Sequence, residues 1–195
     1  GSLTMRALYL AMLAALTASP AAAAQQAGQS SATVQVKNAN GQDAGTVEIK
    51  QLAHGTLFVA DLKNLPPGEH AFHVHERAAC DAPDFKTAGS HYNPQKAEHG
   101  FDNPGGPHAG DLPNIYVAKD GTARAELYST LLSLRPRNGV RSASATKNGS
   151  GTSMAGPFPL LDSDGSAIMV HAHADDYRSM DSAGARLACG IISSK

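Results

Sequence analysis

The chain carries no excess of basic charge, no apolar run long enough to cross a membrane, no sustained 3.6-residue periodicity and only two cysteines. Each absence excludes something. Its 16 Lys and Arg against 17 Asp and Glu leave a formal charge of −1. That balance argues against nucleic acid or an anionic membrane as partner. The longest apolar run, Ala7 to Ala18, is shorter than a span requires. Without long helical periodicity the chain is not a bundle. No Ser-His-Asp motif supports a hydrolase. The length of 195 residues suits one domain with appendages.

The first 24 residues read as a leader. Gly1 to Thr4 precede an initiator-like Met5 and resemble a cloning remnant or upstream residues. Met5-Arg6, the apolar run and Ala22-Ala23-Ala24 then match the charged, hydrophobic and cleavage regions of a secretory signal peptide. No cysteine sits at the cleavage site for a lipid anchor. Residues 25–32 read as a flexible linker and 33–195 as the folded domain. Cleavage removes Arg6 and no acid, moving the formal charge from −1 to −2. An exported protein with no membrane span in its mature part is expected. Export favours pairing of Cys80 with Cys189, which would close a loop worth about 4–5 kcal/mol in the chain-entropy model. The alternative is two buried free thiols.

What is present is short alternation. ATVQVKNA, AGTVEIKQLA, GTLFVADLKNL, GEHAFHVHE, TARAELYS, SAIMVHAH and RLACGII read as strands, separated by turn signals such as Asn40-Gly41 and Pro66-Pro67-Gly68. Such spacing suggests an all-β sandwich or Greek-key barrel. Two long loops interrupt it. One runs from about Arg77 to Asn114 and is rich in histidine. The other, Arg135 to Phe158, holds four basic residues and no acid, and reads as a solvated loop or an anion-attracting feature.

Histidine is the unusual component. Five of the nine fall between His73 and His108. In a strand, residues two apart share a face, so His73 and His75 project together while Phe72 and Val74 point into the core. His91, His99, His108 and Asp111 make a His3Asp set with no open position, which describes a structural zinc site. His73, His75 and His171 make an all-imidazole set suited to Cu(II). His173 follows His171 by two and reads as a solvent-facing ring. His54 reads as surface, and Met154, Met169 and Met180 as packing or loop residues rather than soft ligands.

The segments FHVHE, GSHYNPQKAEHG, HAGDLPN, VHAHADDY and AGARLACG resemble, in order and spacing, those of the copper/zinc superoxide dismutases, over about Thr33 to Ile192. The leader and DSDGSAIMVHAHADDY are similar to the exported bacterial, periplasmic branch. The resemblance implies an eight-stranded antiparallel Greek-key β-barrel or sandwich, immunoglobulin-like, with long metal-binding and active-site loops. It implies one copper per subunit on His73, His75, His91 and His171, and one zinc on His91, His99, His108 and Asp111, with His91 shared. It also implies a Cys80–Cys189 disulfide, Arg186 beside the copper, Asp175 hydrogen-bonded to His73 and His99, and His70 as a structural residue of the barrel. The implied activity is dismutation of superoxide anion to dioxygen and hydrogen peroxide by a cycling Cu(II)/Cu(I) centre, with Arg186 and His91 catalytic, in antioxidant defence of the periplasm. A metal-binding protein without activity on the same fold is the rival. Bacterial members occur as monomers and as differently assembled dimers, so a homodimer stays open.

The chain departs from the family at the loop between His171 and Arg186, which is short and lacks the usual steering charges. Lys86, Arg77, Lys96 and Arg178 are the candidate replacements. The Arg135–Phe158 loop is longer than in most members.

Overall fold

The structure, a computed structural model, describes residues 30–136 and 157–194. The leader, most of the linker, Met154 and most of the basic loop lie outside the described residues. Ten strands follow in chain order: β1 (Ser31–Asn38), β2 (Asp43–Leu52), β3 (Gly55–Leu62), β4 (Gly68–His75), β5 (Asp111–Val117), β6 (Ala123–Ser129), β7 (Leu132–Ser133), β8 (Phe158–Pro159), β9 (Ser166–His171) and β10 (Arg186–Ile192). One 3-10 turn, Lys86–Ala88, lies in the loop after β4. Ser31 and Ala32, assigned to the linker from sequence, are paired with Lys50 and Ile49.

Eight strands form one sheet in the order β5-β4-β9-β10-β1-β2-β3-β6, antiparallel throughout. The terminal strands β5 and β6 approach one another, nearly closing the barrel. The chain passes from β3 to β4 and from β6 to β9 between strands that are not neighbours in this order, which is the Greek-key arrangement. Alternation explains the interior. On β1, Val34 and Val36 are buried between exposed Thr33, Gln35 and Lys37, and they pack with Val47, Ile49, Phe58, Phe72, Val74, Ile168 and Val170 in one core.

β4 and β9 differ from the other strands. Residues 70–75 and 166–171 are buried on both faces, so β9 is not the half-buried strand its alternation suggests. Ile168 and Val170 point into the barrel. Ala167 and Met169 face outward into a second apolar cluster with Phe85, Ala88 and Cys189, and partly buried Cys80 packs against it. The Arg77–Asp111 segment folds over this outer face. Cys80 and Cys189 are disulfide-bonded, 109 residues apart in sequence. The sheet core thus sits inside the barrel, and the covered outer face carries the site.

Strand β5 is not legible as a strand in the sequence. The long loop ends at Gly110, not near Asn114, and Asp111 begins β5. Pro113 hides the pattern, because it cannot donate to a ladder and belongs only at an edge. An edge is where β5 lies. Leu132–Ser133 pairs in parallel with Phe158–Pro159, placing Phe158 in a strand rather than in the basic loop. Buried Leu132, Leu134, Phe158 and Leu160 join the core there.

Candidate metal centre

The β-alternation on β4 sends His73 and His75 to the outer face while Phe72 and Val74 are fully buried inside. His73 stands opposite Met169 of β9, and His171 at the end of β9 stands opposite Arg186 of β10. An isolated bridge pairs His75 with His91. Around it, Tyr92 N–H donates to Val74 O, Val74 N–H to Gly110 O, and Gly110 N–H to Tyr92 O, each at 2.8 Å. A side chain at Gly110 would overlap the Val74 carbonyl, so glycine permits this close approach. These backbone bonds carry the histidine-rich loop against β4.

Two donor sets result: His73, His75, His91 and His171, and His91, His99, His108 and Asp111. In each set the ligand atoms lie within 4.8 Å of one another, and all seven residues are buried. The Nε2 atoms of His75 and His171 are 3.3 Å apart. Asp111 Oδ1 lies 2.9 Å from His91 Nδ1 and 3.3 Å from His108 Nδ1, and its Oδ2 lies 3.2 Å from His99 Nδ1. His91 belongs to both sets. Its Nδ1 faces Asp111 and His108, leaving Nε2 for the other set.

The second ring nitrogens are committed elsewhere. His73 Nε2–H donates to Asp175 Oδ2 at 2.8 Å, and His99 Nε2–H to Asp175 Oδ1 at 3.0 Å. His75 Nδ1–H donates to Gly89 O at 3.0 Å, and His171 Nδ1–H to Gly184 O at 3.2 Å. His73 Nδ1 remains buried with no hydrogen-bond partner, and His99 Nδ1 is buried with only the Asp111 carboxylate 3.2 Å away. Burying such atoms costs free energy unless something pairs with them. A cation at each set would pair with them, so the residues fit two metal ions. Imidazoles oriented by carbonyls and a carboxylate are the usual surround of metal-bound histidine.

The electrostatics agree. Burial first, then neighbouring His91, pulls the His75 ring down to about 2. Burial and His73 bring His171 to about 3. Burial outweighs the Asp111 hydrogen bond and holds His91 at about 4. These rings are neutral at pH 7, with lone pairs available for a metal. Burial lowers His99, but the Asp111 and Asp175 carboxylates outweigh it and raise the ring to about 10. Burial likewise raises Asp111, yet hydrogen bonds from His108, His91, His99 and Gly100 N–H hold it well below the usual carboxylate range.

Arg186 is half-buried beside the all-imidazole set. Its Nη1 donates to Phe85 O at 2.6 Å and its Nη2 to Gly89 O at 2.7 Å. Gly89 O therefore orients both Arg186 and His75. Sequence reasoning missed these carbonyls, since a backbone acceptor leaves no residue signature. It also missed Asn114 and Tyr177, which hold Asp175.

Other sequence candidates fall outside both sets. The chain leaves β9 after His171, so His173 is solvent-exposed and its backbone pairs with Ala183 and Ala71. His70 is buried, with its ring between His171 O and Pro66 O at 2.7 and 2.8 Å. His54 is exposed, Met169 is packed and Met180 is exposed. Among the steering candidates, Lys86 pairs with Asp84, Arg77 with Glu76 and Arg178 with Asp102. Lys96 is exposed.

A nearly closed Greek-key barrel carrying two adjoining buried donor sets that share one histidine defines a class of two-metal β-barrel proteins. Residues 43–192 match the family model described as copper/zinc superoxide dismutase. The chain belongs to that family. It is 46% identical over 165 residues to a Cu-Zn superoxide dismutase of Caulobacter vibrioides, covering 83% of this chain and 85% of the relative. A counterpart from Aquifex aeolicus is 38% identical, covering 80% and 84%. Among solved structures, a double mutant of a SOD-like protein from Bacillus subtilis superposes with a TM-score of 0.69 at 38% identity, covering 83% of this chain and 96% of that one. The Cu/Zn superoxide dismutase from Brucella abortus gives 0.60 at 28% identity, covering 84% and 99%.

Proposed function

We propose that this protein dismutates superoxide, converting two superoxide anions and two protons to dioxygen and hydrogen peroxide. His73, His75, His91 and His171 would hold copper, and His91, His99, His108 and Asp111 would hold zinc. Bound there, copper would supply reversible one-electron transfer and zinc a fixed positive charge. The observation that carries the reading is His91, buried and common to both donor sets. A proton gained at its Nε2 can pass to the departing peroxide while Nδ1 stays with the zinc set. Arg186, fixed by two carbonyls, presents a permanent cation to a small oxyanion. Asp175 holds the rings of His73 and His99 in orientation.

The domain of residues 33–195 is proposed to act outside the cytoplasm, in the periplasm, following export directed by the 1–24 leader. The leader pattern and the Cys80–Cys189 pair support this. Cell fractionation tests it, and retention in the cytoplasm would reject it.

Metal analysis and a superoxide-consumption assay, with and without chelator, test the activity. Activity that tracks one copper and one zinc per chain is expected, with loss in His91→Ala. Stoichiometric metals without activity would reject the enzyme reading. Full copper-dependent activity in His91→Ala would reject the shared role of that ring.

A further inference from the structure

Asp175 joins His73 to His99, yet it lies in the irregular segment after β9, where no strand fixes it. Two residues do. Asn114 of β5 exchanges a reciprocal pair with its backbone, Nδ2 donating to Asp175 O and Oδ1 accepting from Asp175 N–H, both at 2.9 Å. Tyr177 makes a wider set of contacts. Its N–H donates to Asp175 Oδ1 at 2.8 Å, and its hydroxyl oxygen accepts the Asn114 N–H at 3.0 Å. Its carbonyl accepts the Asp102 N–H at 3.0 Å, and its ring lies 5.3 Å from that of Phe101.

The zinc-set loop is moulded to this residue. A Cβ on Gly100 would overlap the Tyr177 carbonyl, and Gly100 itself sits at φ +92°. Gly100 N–H donates to Asp111 Oδ2 at 2.9 Å. Tyr177 therefore stands between both carboxylates that face His99. It also holds φ 61°, a conformation that costs a non-glycine residue about 1 kcal/mol or more and persists where the surroundings over-determine it. Arg178, next in the chain, pairs with Asp102 across the same junction.

We infer that Tyr177 is a positioning residue for the zinc set: its hydroxyl holds Asn114, and through the Asn114–Asp175 pair it fixes His99 and so governs how tightly zinc is retained. The inference rests on the zinc assignment above and goes beyond it. Tyr177 touches neither proposed metal, so its effect is confined to ring and carboxylate orientation. In the all-imidazole set His75 and His171 keep separate anchors, Gly89 O and Gly184 O, while His73 shares Asp175 with His99.

The test uses the full chain and Tyr177→Phe, which removes only the hydroxyl acceptor. Co(II) placed in the zinc set reports geometry through its visible bands, and a chromogenic chelator reports the rate of zinc release. Ile49→Val, a mild core change in distant β2, controls for general destabilisation. Zinc release about tenfold faster, with shifted Co(II) bands in Tyr177→Phe alone, is expected, at the low end for residues that orient ligands. Wild-type bands and release in Tyr177→Phe would overturn the proposal, as would equal changes in the control. Should Tyr177→Phe fail to fold, Phe101→Leu weakens only the ring contact, and wild-type release there would overturn it equally. Failure of the parent protein to take up Co(II) or zinc would overturn the zinc assignment itself, and this inference with it.

Discussion

His75, His91 and His171 show how burial prepares a metal site before any metal arrives. Low dielectric and mutual repulsion hold their pKa values at about 2, 4 and 3, against an ordinary value of 6.5. Below pH 6.5 the unfolded chain protonates these rings and the fold does not. The unfolded state then binds more protons, so stability falls with acid. His99, held up at about 10, is charged in both states below pH 6.5 and adds nothing to that slope. Metal-free protein is expected to lose stability from pH 7 to 5, approaching about 1.4 kcal/mol per pH unit for each of the three rings. Urea unfolding at stepped pH, with chelator present, measures it. A flat profile would reject the neutral-ring picture. For Arg186→Ala, superoxide consumption at low salt is expected to fall about tenfold, the lower end of what steering supplies. Arg186→Lys should retain part of the activity, because charge survives without the fork. Stopped-flow superoxide decay gives both numbers.

The loop between β4 and β5 acquires its shape from its two attachments. At one end Cys80 is bonded to Cys189 in β10, and Phe85 and Ala88 pack in the apolar cluster under it. At the other, the bonds among Val74, Tyr92 and Gly110 seat it on β4. Between them, Phe85 O and Gly89 O hold Arg186. A Cys80→Ser, Cys189→Ser variant is expected to lose about 4–5 kcal/mol of stability in the chain-entropy model. It should also lose activity beyond what its folded fraction explains, since the carbonyls that fix Arg186 ride on the freed loop. Chemical denaturation and activity per folded molecule separate the two effects. Seven strands are legible from alternation. β5 is not, because Pro113 breaks the pattern and the strand survives only as an edge. Nor are the two-residue strands β7 and β8, which are too short to show a period and exist by packing on the core.

Over the whole barrel, β4 and β9 are central strands with one face in the core and the other under the metal-set loop. The loop packed on that outer face places seven ionisable ligands out of water, a costly arrangement unless charge is matched. Metal removal should therefore be felt globally. With chelator, thermal unfolding is expected to move down markedly, since a ligand at a thousand times its dissociation constant stabilises by about 4 kcal/mol. Calorimetry of loaded and stripped protein checks this, and equal transitions would argue that the sets hold no metal.

The ligand chemistry was present in the sequence because histidine spacing on a strand has a period of two and a His3Asp set has a recognisable composition. Core positions were legible for the same reason. The order of strands, the burial of β9 on both faces and the carbonyls of Phe85, Gly89 and Gly184 were not. Neither were Asn114 and Tyr177 as the supports of Asp175. Those depend on which backbone groups meet side chains 13 to more than 60 residues away, and backbone atoms are the same in every residue. Folding alone decides which of them stand within hydrogen-bond reach of an imidazole.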